Sequence, residues 1–178
     1  MKRIVALAAL LVLSFSLRAQ LSFTPEQNKT IANAVEQKLA VFKAKLVNLK
    51  VSAIESEFAI DTFKVEHLMA ERLNTSYVTS DMIITAGDAS RGYDLLLNKY
   101  YKKLMSVLKD TDKQVLLQTQ KNWIAFRDSE SKLIGVIGGD KYTGGTMQAP
   151  IDAELYLQLI KKRTCDIYEH YSRIADQP

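Results

Sequence analysis

Cysteine is nearly absent: the 178 residues hold one, Cys165, so no disulfide can close within the chain. A lone cysteine is either a buried small hydrophobe or a free thiol, and burial is the favoured reading. Histidine is almost as scarce. His67 and His170 lie far apart, with no cysteine or carboxylate at a recognisable metal spacing, so a zinc site has no basis and both read as surface or cap residues. Glycine and proline, seven and three in all, leave few places to break a helix. Gly138-Gly139 and Gly144-Gly145 lack the Lys-Ser or Lys-Thr continuation of a phosphate loop and read as turns. Neither a dinucleotide fingerprint nor a nucleophile elbow is present. Acids are plentiful, but Asp128 and Glu130 do not share a helix face and make a poor acid–base pair. The chain therefore reads as a non-enzyme with no cofactor and no metal.

Uncharged apolar runs are also rare, and the one from Ile4 to Leu17 is shorter than the roughly 20 residues of a membrane-spanning helix. Met1-Lys2-Arg3 precedes it and Arg18-Ala19-Gln20 follows, which is the pattern of a secretory leader. Residues 1–19 are expected to be a signal peptide cut after Ala19, although Leu17 is not the small residue usual at its position. With no cysteine at the junction, a lipoprotein anchor is not expected. The mature protein should be periplasmic or secreted, without stable membrane insertion. The leader removes Lys2, Arg3 and Arg18, so the formal charge falls from 24 − 20 = +4 to 21 − 20 = +1. That balance gives nucleic-acid binding little support.

With 47% hydrophobic and 25% charged residues, what remains should fold around one core. Thr24-Pro25-Glu26-Gln27 is a capping box, and Ile31, Val35, Leu39, Phe42, Leu46 and Leu49 form one helical stripe behind it. The helical signal continues from Val51 to Leu73, with a bend near Ile60 to Thr62, and Asn74-Thr75-Ser76 ends it. Tyr77 to Asp88 reads as an ordered connection. A helix from about Ala89 to Leu108 follows, with Tyr93, Leu96, Leu97, Tyr100, Leu104, Val107 and Leu108 on its apolar face. Thr111-Asp112-Lys113-Gln114 reads as a second capping box, opening a helix with Leu116, Gln120, Trp123, Arg127 and Ile134 along one side; the two helices should lie antiparallel. Gly135 to Pro150 is the long loop, and a last helix from about Ile151 to Ile174 carries Leu155, Leu159, Ile160, Ile167, Tyr168 and Tyr171. The expected fold is all-α: a small antiparallel helical bundle with a long N-terminal helix and a Gly-rich loop before the last helix.

Two helices carry a recognisable pattern. Asp94, Leu97, Asn98 and Tyr101 stand in a D-x-x-L-N-x-x-Y order, and Gln120, Trp123, Arg127 and Asp128 in Q-x-x-W-x-x-x-R-D; Gly144-Gly145-Thr146 and Arg163 follow. In these elements, from about residue 87 to 171, the chain resembles the LprI-type lysozyme inhibitor domain. The resemblance divides the mature chain into residues 20–86, an N-terminal helical region, and 87–178, the LprI-like domain, packed as one unit. It implies a small exported helical domain and, for some members, inhibition of lysozyme. Many members carry a cysteine soon after the Arg-Asp pair and another in the last helix. Here Ser131 occupies the first place and the region near Leu155 supplies none, so the family's usual disulfide would be missing.

The resemblance supplies no inhibitory residue, and Asn98, Gln120, Trp123 and Arg127 read first as polar groups bonded within the bundle. An inhibitor must place a cation or donor on the paired carboxylates of the muramidase cleft. Asp140-Lys141-Tyr142-Thr143 in the Gly-rich loop offers both a charge, Lys141, and an anchor, Tyr142. The expected function is an envelope binding protein whose partner is lysozyme or another envelope protein. The alternative is a structural or assembly module acting through the Ile31 to Leu49 stripe.

Overall fold

The computed structural model describes residues 23–176; the leader and its cleavage point lie outside them. Five helices follow one another: α1 (Pro25–Asn48), α2 (Ala53–Thr75), α3 (Thr79–Val107), α4 (Asp110–Ile137) and α5 (Gln148–Ala175). No strand occurs among the described residues, so the fold is the expected all-α bundle.

At the start of α1 the capping box forms as read: Thr24 Oγ1 accepts from Gln27 N–H and Gln27 Oε1 accepts from Thr24 N–H. Ile31, Val35, Leu39 and Leu46 are buried, whereas Leu49 caps the helix and is exposed. The stripe is thus occupied within the chain, since α1 packs on α2 with Phe42 stacked on Phe63. The continuous signal through Val51 is corrected by a sharp reversal. Lys50 adopts φ 53°, Lys50 N–H donates to Val47 O and Val51 N–H to Leu46 O, a Schellman termination without glycine. Ser52 then caps α2 by accepting from Glu55 N–H. Helix α2 runs on without a break past Thr62, whose hydroxyl donates to Phe58 O and Ala59 O.

Helix α3 starts ten residues earlier than the sequence suggested, which makes the expected connection Tyr77 to Asp88 helical from Thr79. Packing overrides the weak helix formers Thr79, Asp81, Thr85 and Gly87 there: Thr85, Ala86, Ala89 and Ser90 are buried, and their small side chains let neighbouring helices come close. Gly92 serves the same end, because a Cβ would sit 3.0 Å from Val65 Cγ2 on α2. Helix α4 begins at Asp110 with Lys109 at the cap and no side-chain cap bond, so the second capping box does not form; Thr111 is already helical. The long loop shrinks to residues 138–147, since Gly135 lies inside α4 and Pro150 in the first turn of α5, where its missing N–H leaves no bond unmade.

Direction alternates along the chain. Helix α2 runs antiparallel to α3, pairing Arg72 with Asp88 at one end and Glu57 with Lys103 at the other. Helix α4 retraces α3, as expected, with Leu116 beside Leu104 in one core cluster. The main partner of α3 is nevertheless α5, which runs parallel to it: Ala89 and Tyr93 meet Leu157 and Ile160, then Leu97, Tyr100 and Leu104 meet Ile167. On α5 the inward positions are Leu157, Ile160, Arg163, Thr164 and Ile167, and Leu155 is half exposed rather than core.

No residue of α2 is fully buried. Polar ties supplement its apolar contacts: Asp61 accepts from Lys99 and the Tyr100 hydroxyl, and Glu66 from Lys161 and the Tyr93 hydroxyl. Burial, then the neighbouring carboxylates, push both phenols up, so they stay neutral donors. His67 is half-buried and stacks on Phe63, against the expectation of a surface or cap residue; His170 is exposed.

Candidate functional site

The face of α4 turned to the bundle carries Leu116, Gln120, Trp123, Arg127 and Ile134, at the helical spacing read from the sequence. Opposite it, α5 presents Arg163, of which 9% remains exposed. Its Nε and Nη2 both donate to Gln120 Oε1, at 3.1 and 3.0 Å. Arg163 has no carboxylate within ion-pair reach among the described residues, and burial pushes its guanidinium below the ordinary arginine value. Trp123 sits between two guanidinium groups, with Arg127 at 5.4 Å and Arg163 at 5.9 Å from its ring centroid. Arg127 is bonded to Asp128; burial opposes its charge, but that bond and the surrounding charges, Asp94 among them, hold it above the usual value. Asp94 and Arg127 line one side of a cleft with Arg91 and Tyr156.

Arg127 and Arg163 therefore meet at Trp123, Gln120 joins through Arg163, and Asp94 shares a cleft with Arg127. The others have separate places. Leu97 is core, Tyr101 packs half-buried against the same cluster, and Asn98 is exposed, its amide donating to Asp94 O and Oδ2. Asp128 is exposed. Gly144 and Gly145 take φ 51° and 91°, and a Cβ on Gly144 would stand 3.2 Å from Asp140 Cα, so glycine is needed to fold the loop back.

Lys141 and Tyr142 occupy the tip of that loop, at the far end of the bundle from the Gln120–Arg163 contact. Tyr142 is 61% exposed and Lys141 Nζ lies 5.4 Å from its ring centroid. Thr143 Oγ1 donates to Ile137 O and Tyr142 N–H to Gly139 O, fixing the loop to the end of α4. Cys165 is half-buried, and burial pushes its thiol up, away from reactivity.

Sequence reasoning missed one further feature. The distal half of α4 stands off α5 and leaves a groove of about 550 Å³, lined by Trp123, Phe126, Leu133, Ile137, Leu155 and Leu159 among others. Only periodicity hinted at it, in apolar residues on α4 beyond what its inward face uses.

The family of lysozyme inhibitors described as Lysozyme inhibitor LprI matches residues 70–166, more than half of the chain. The chain belongs to this family. The match covers the end of α2, all of α3 and α4, and α5 through Asp166, so it takes in the cluster around Trp123, the loop and the groove, and leaves out α1. An uncharacterized protein of Rhizobium meliloti (strain 1021) is 28% identical over 102 residues, which span 50% of this chain and 70% of the relative. No solved structure matches. The family's description is that of an inhibitor, a binding function, and no helix among the described residues is long and apolar enough to cross a membrane.

Proposed function

We propose that this LprI protein is an exported cell-envelope binding protein that inhibits lysozyme by occluding its active-site cleft, with the loop of Lys141 and Tyr142 as the contact. The observation that carries the reading is the exposed Tyr142 ring with the Lys141 ammonium over it, on a loop tied to α4 by Thr143 and turned by Gly144 and Gly145. A pre-ordered loop loses little freedom on binding. An ammonium at its tip suits a cleft that works with two carboxylates, and a tyrosine beside it supplies apolar contact and a hydroxyl donor. The secretory-leader pattern of residues 1–19 supports export, and in this reading the Trp123 cluster serves to hold α4 and α5 together rather than to meet the partner.

The test is residual muramidase activity on cell-wall substrate when the purified protein is titrated against c-type and g-type lysozymes. Stoichiometric inhibition is expected, and the double substitution of Lys141 and Tyr142 by alanine should abolish it while circular dichroism stays unchanged. Inhibition that survives both substitutions would move the contact elsewhere; no inhibition of either class would end the reading. The alternative of assembly through α1 draws no support from its stripe, which α2 already covers.

A further inference from the structure

The groove between α4 and α5 has an apolar floor bordered by charged and amide side chains, and Arg163 is the buried one among the charges. Arg163 is more than nine-tenths buried, yet two of its three nitrogens share a single neutral acceptor, Gln120 Oε1, and Nη1 makes no hydrogen bond. A desolvated guanidinium ordinarily meets a carboxylate or phosphate. The acid nearest it along α5, Asp166, is engaged by Lys162 at 3.1 Å. From Arg163 the floor runs along Trp123, Phe126, Leu133 and Leu155 to Ile137. From Trp123 to Ile137 α4 rises about 21 Å, more than the roughly 15 Å of one leaflet of a bilayer's ~30 Å hydrocarbon core. The volume, about 550 Å³, lies inside the range of roughly 300–1,000 Å³ common to small-molecule sites.

We propose that this groove binds a single-chain anionic amphiphile, its carboxylate or phosphate head on the open edge of Arg163 and its chain laid along Trp123, Phe126 and Leu155 towards Ile137. At the Arg163 end the groove also carries Asp166, whose charge Lys162 offsets at 3.1 Å, whereas Glu130 and Asp152 border it with no ion-pair partner among the described residues and disfavour the head there. Gln120 acts as the positioning residue: it holds two guanidinium nitrogens and leaves the third free. The site is separate from the Lys141–Tyr142 loop and stands or falls independently of lysozyme binding.

Trp123, the chain's one tryptophan, lies in the groove wall and reports occupancy directly. Its emission should shift saturably with sodium laurate or dodecyl phosphate below their micelle concentrations, and the ratio of the two affinities tells a carboxylate head from a phosphate head. Dodecanol, which has the chain without the charge, should bind at least about tenfold more weakly. Arg163→Gln should erase the preference for the anions and Arg163→Lys should keep most of it. Should Arg163→Gln fail to fold, Phe126→Glu and Leu155→Glu, on half-exposed positions, should each weaken laurate at least about tenfold by placing a charge in the path of its chain. Equal binding of dodecanol and laurate, laurate binding unchanged in all these variants, or no saturable shift with any of the three compounds would overturn the proposal. So would a cationic amphipathic helical peptide that shifts Trp123 where laurate does not, since the groove would then be a seat for a protein helix.

Discussion

Val65 of α2 holds the backbone of α3 at Gly92 with both of its methyl groups, which a Cβ on residue 92 would meet at 3.0 and 3.1 Å. Alanine at 92 gains about 1 kcal/mol in helix propensity. It must displace a β-branched side chain that is stiff about its first torsion, and overpacking of this kind costs about 1–3 kcal/mol. Gly92→Ala should therefore lower the thermal midpoint, and Val65→Ala in the same chain should restore part of it. A Gly92→Ala protein more stable than the parent would show that α2 and α3 are less tightly joined.

Thr85 presents the opposite case. Its side chain is buried and its hydroxyl finds no partner, and the same small cavity of about 60 Å³ is bordered by the unpartnered Nε of Arg72. Replacing an unbonded hydroxyl by a methyl removes a desolvation penalty of about 1–3 kcal/mol. Thr85→Val is expected to be neutral or stabilising in urea titration; a loss above about 1 kcal/mol would reveal a bond to the hydroxyl.

Between Gln120 and Arg163 the direction of substitution matters. Gln120→Ala leaves a buried cation with no acceptor and should cost about 1.5–3 kcal/mol, whereas Gln120→Ala with Arg163→Met should recover most of that. A double variant as unstable as the two single losses added together would exclude a direct coupling between the residues.

Acid should loosen α2 before it unfolds the rest. Burial works against the charged forms of Glu57 and Glu66, but hydrogen bonds outweigh it, from Lys103 and Lys99 to Glu57 and from Lys161 and Tyr93 to Glu66; both carboxyls are held below 4.5. A carboxylate depressed in the folded state stabilises the fold above its unfolded value and loses that contribution as pH falls through the folded one. Thermal stability should thus be level from neutrality to about pH 5 and fall from about 4.5 downward. The double variant Glu57→Gln, Glu66→Gln should begin lower at neutral pH and decline less steeply, and salt should reproduce part of the difference by screening. Parallel pH curves for the two proteins would discard this account.

Much of the bundle was legible in the sequence, and the misreadings share a cause. The Thr24 to Gln27 box and the Leu116 to Ile134 face are local patterns, and both appear as read. The break before α2 was equally local: Ser52 with Glu55 three residues on is a cap signature, masked by apolar residues that continued past it. Thr79 to Asp88 could not be read as helix, because its threonines, aspartates and glycine favour other conformations and only burial against neighbouring helices reverses that preference. Leu155 and Leu157 look alike in composition, and which of them faces the core depends on where α5 begins. Of the site, the sequence marked Gln120, Trp123, Arg127 and Arg163 separately. Their meeting around one indole, and the groove beyond it, depend on α4 standing off α5, which periodicity does not encode.

The parallel course of α3 and α5 bears on how the chain acquires its structure. Tyr93 O receives the Thr164 hydroxyl across 71 positions of sequence, and the intervening α4 is a return stroke that adds little burial of its own, Leu116 being its one fully buried residue. Contacts this distant form slowly, since the entropy of closing so large a loop precedes any gain from burial. A chain emerging N-terminus first would hold the side of α3 that α5 covers open until α5 had appeared. Closing this core therefore waits for α5, and until then the protein is held together by α1, α2 and α3 alone.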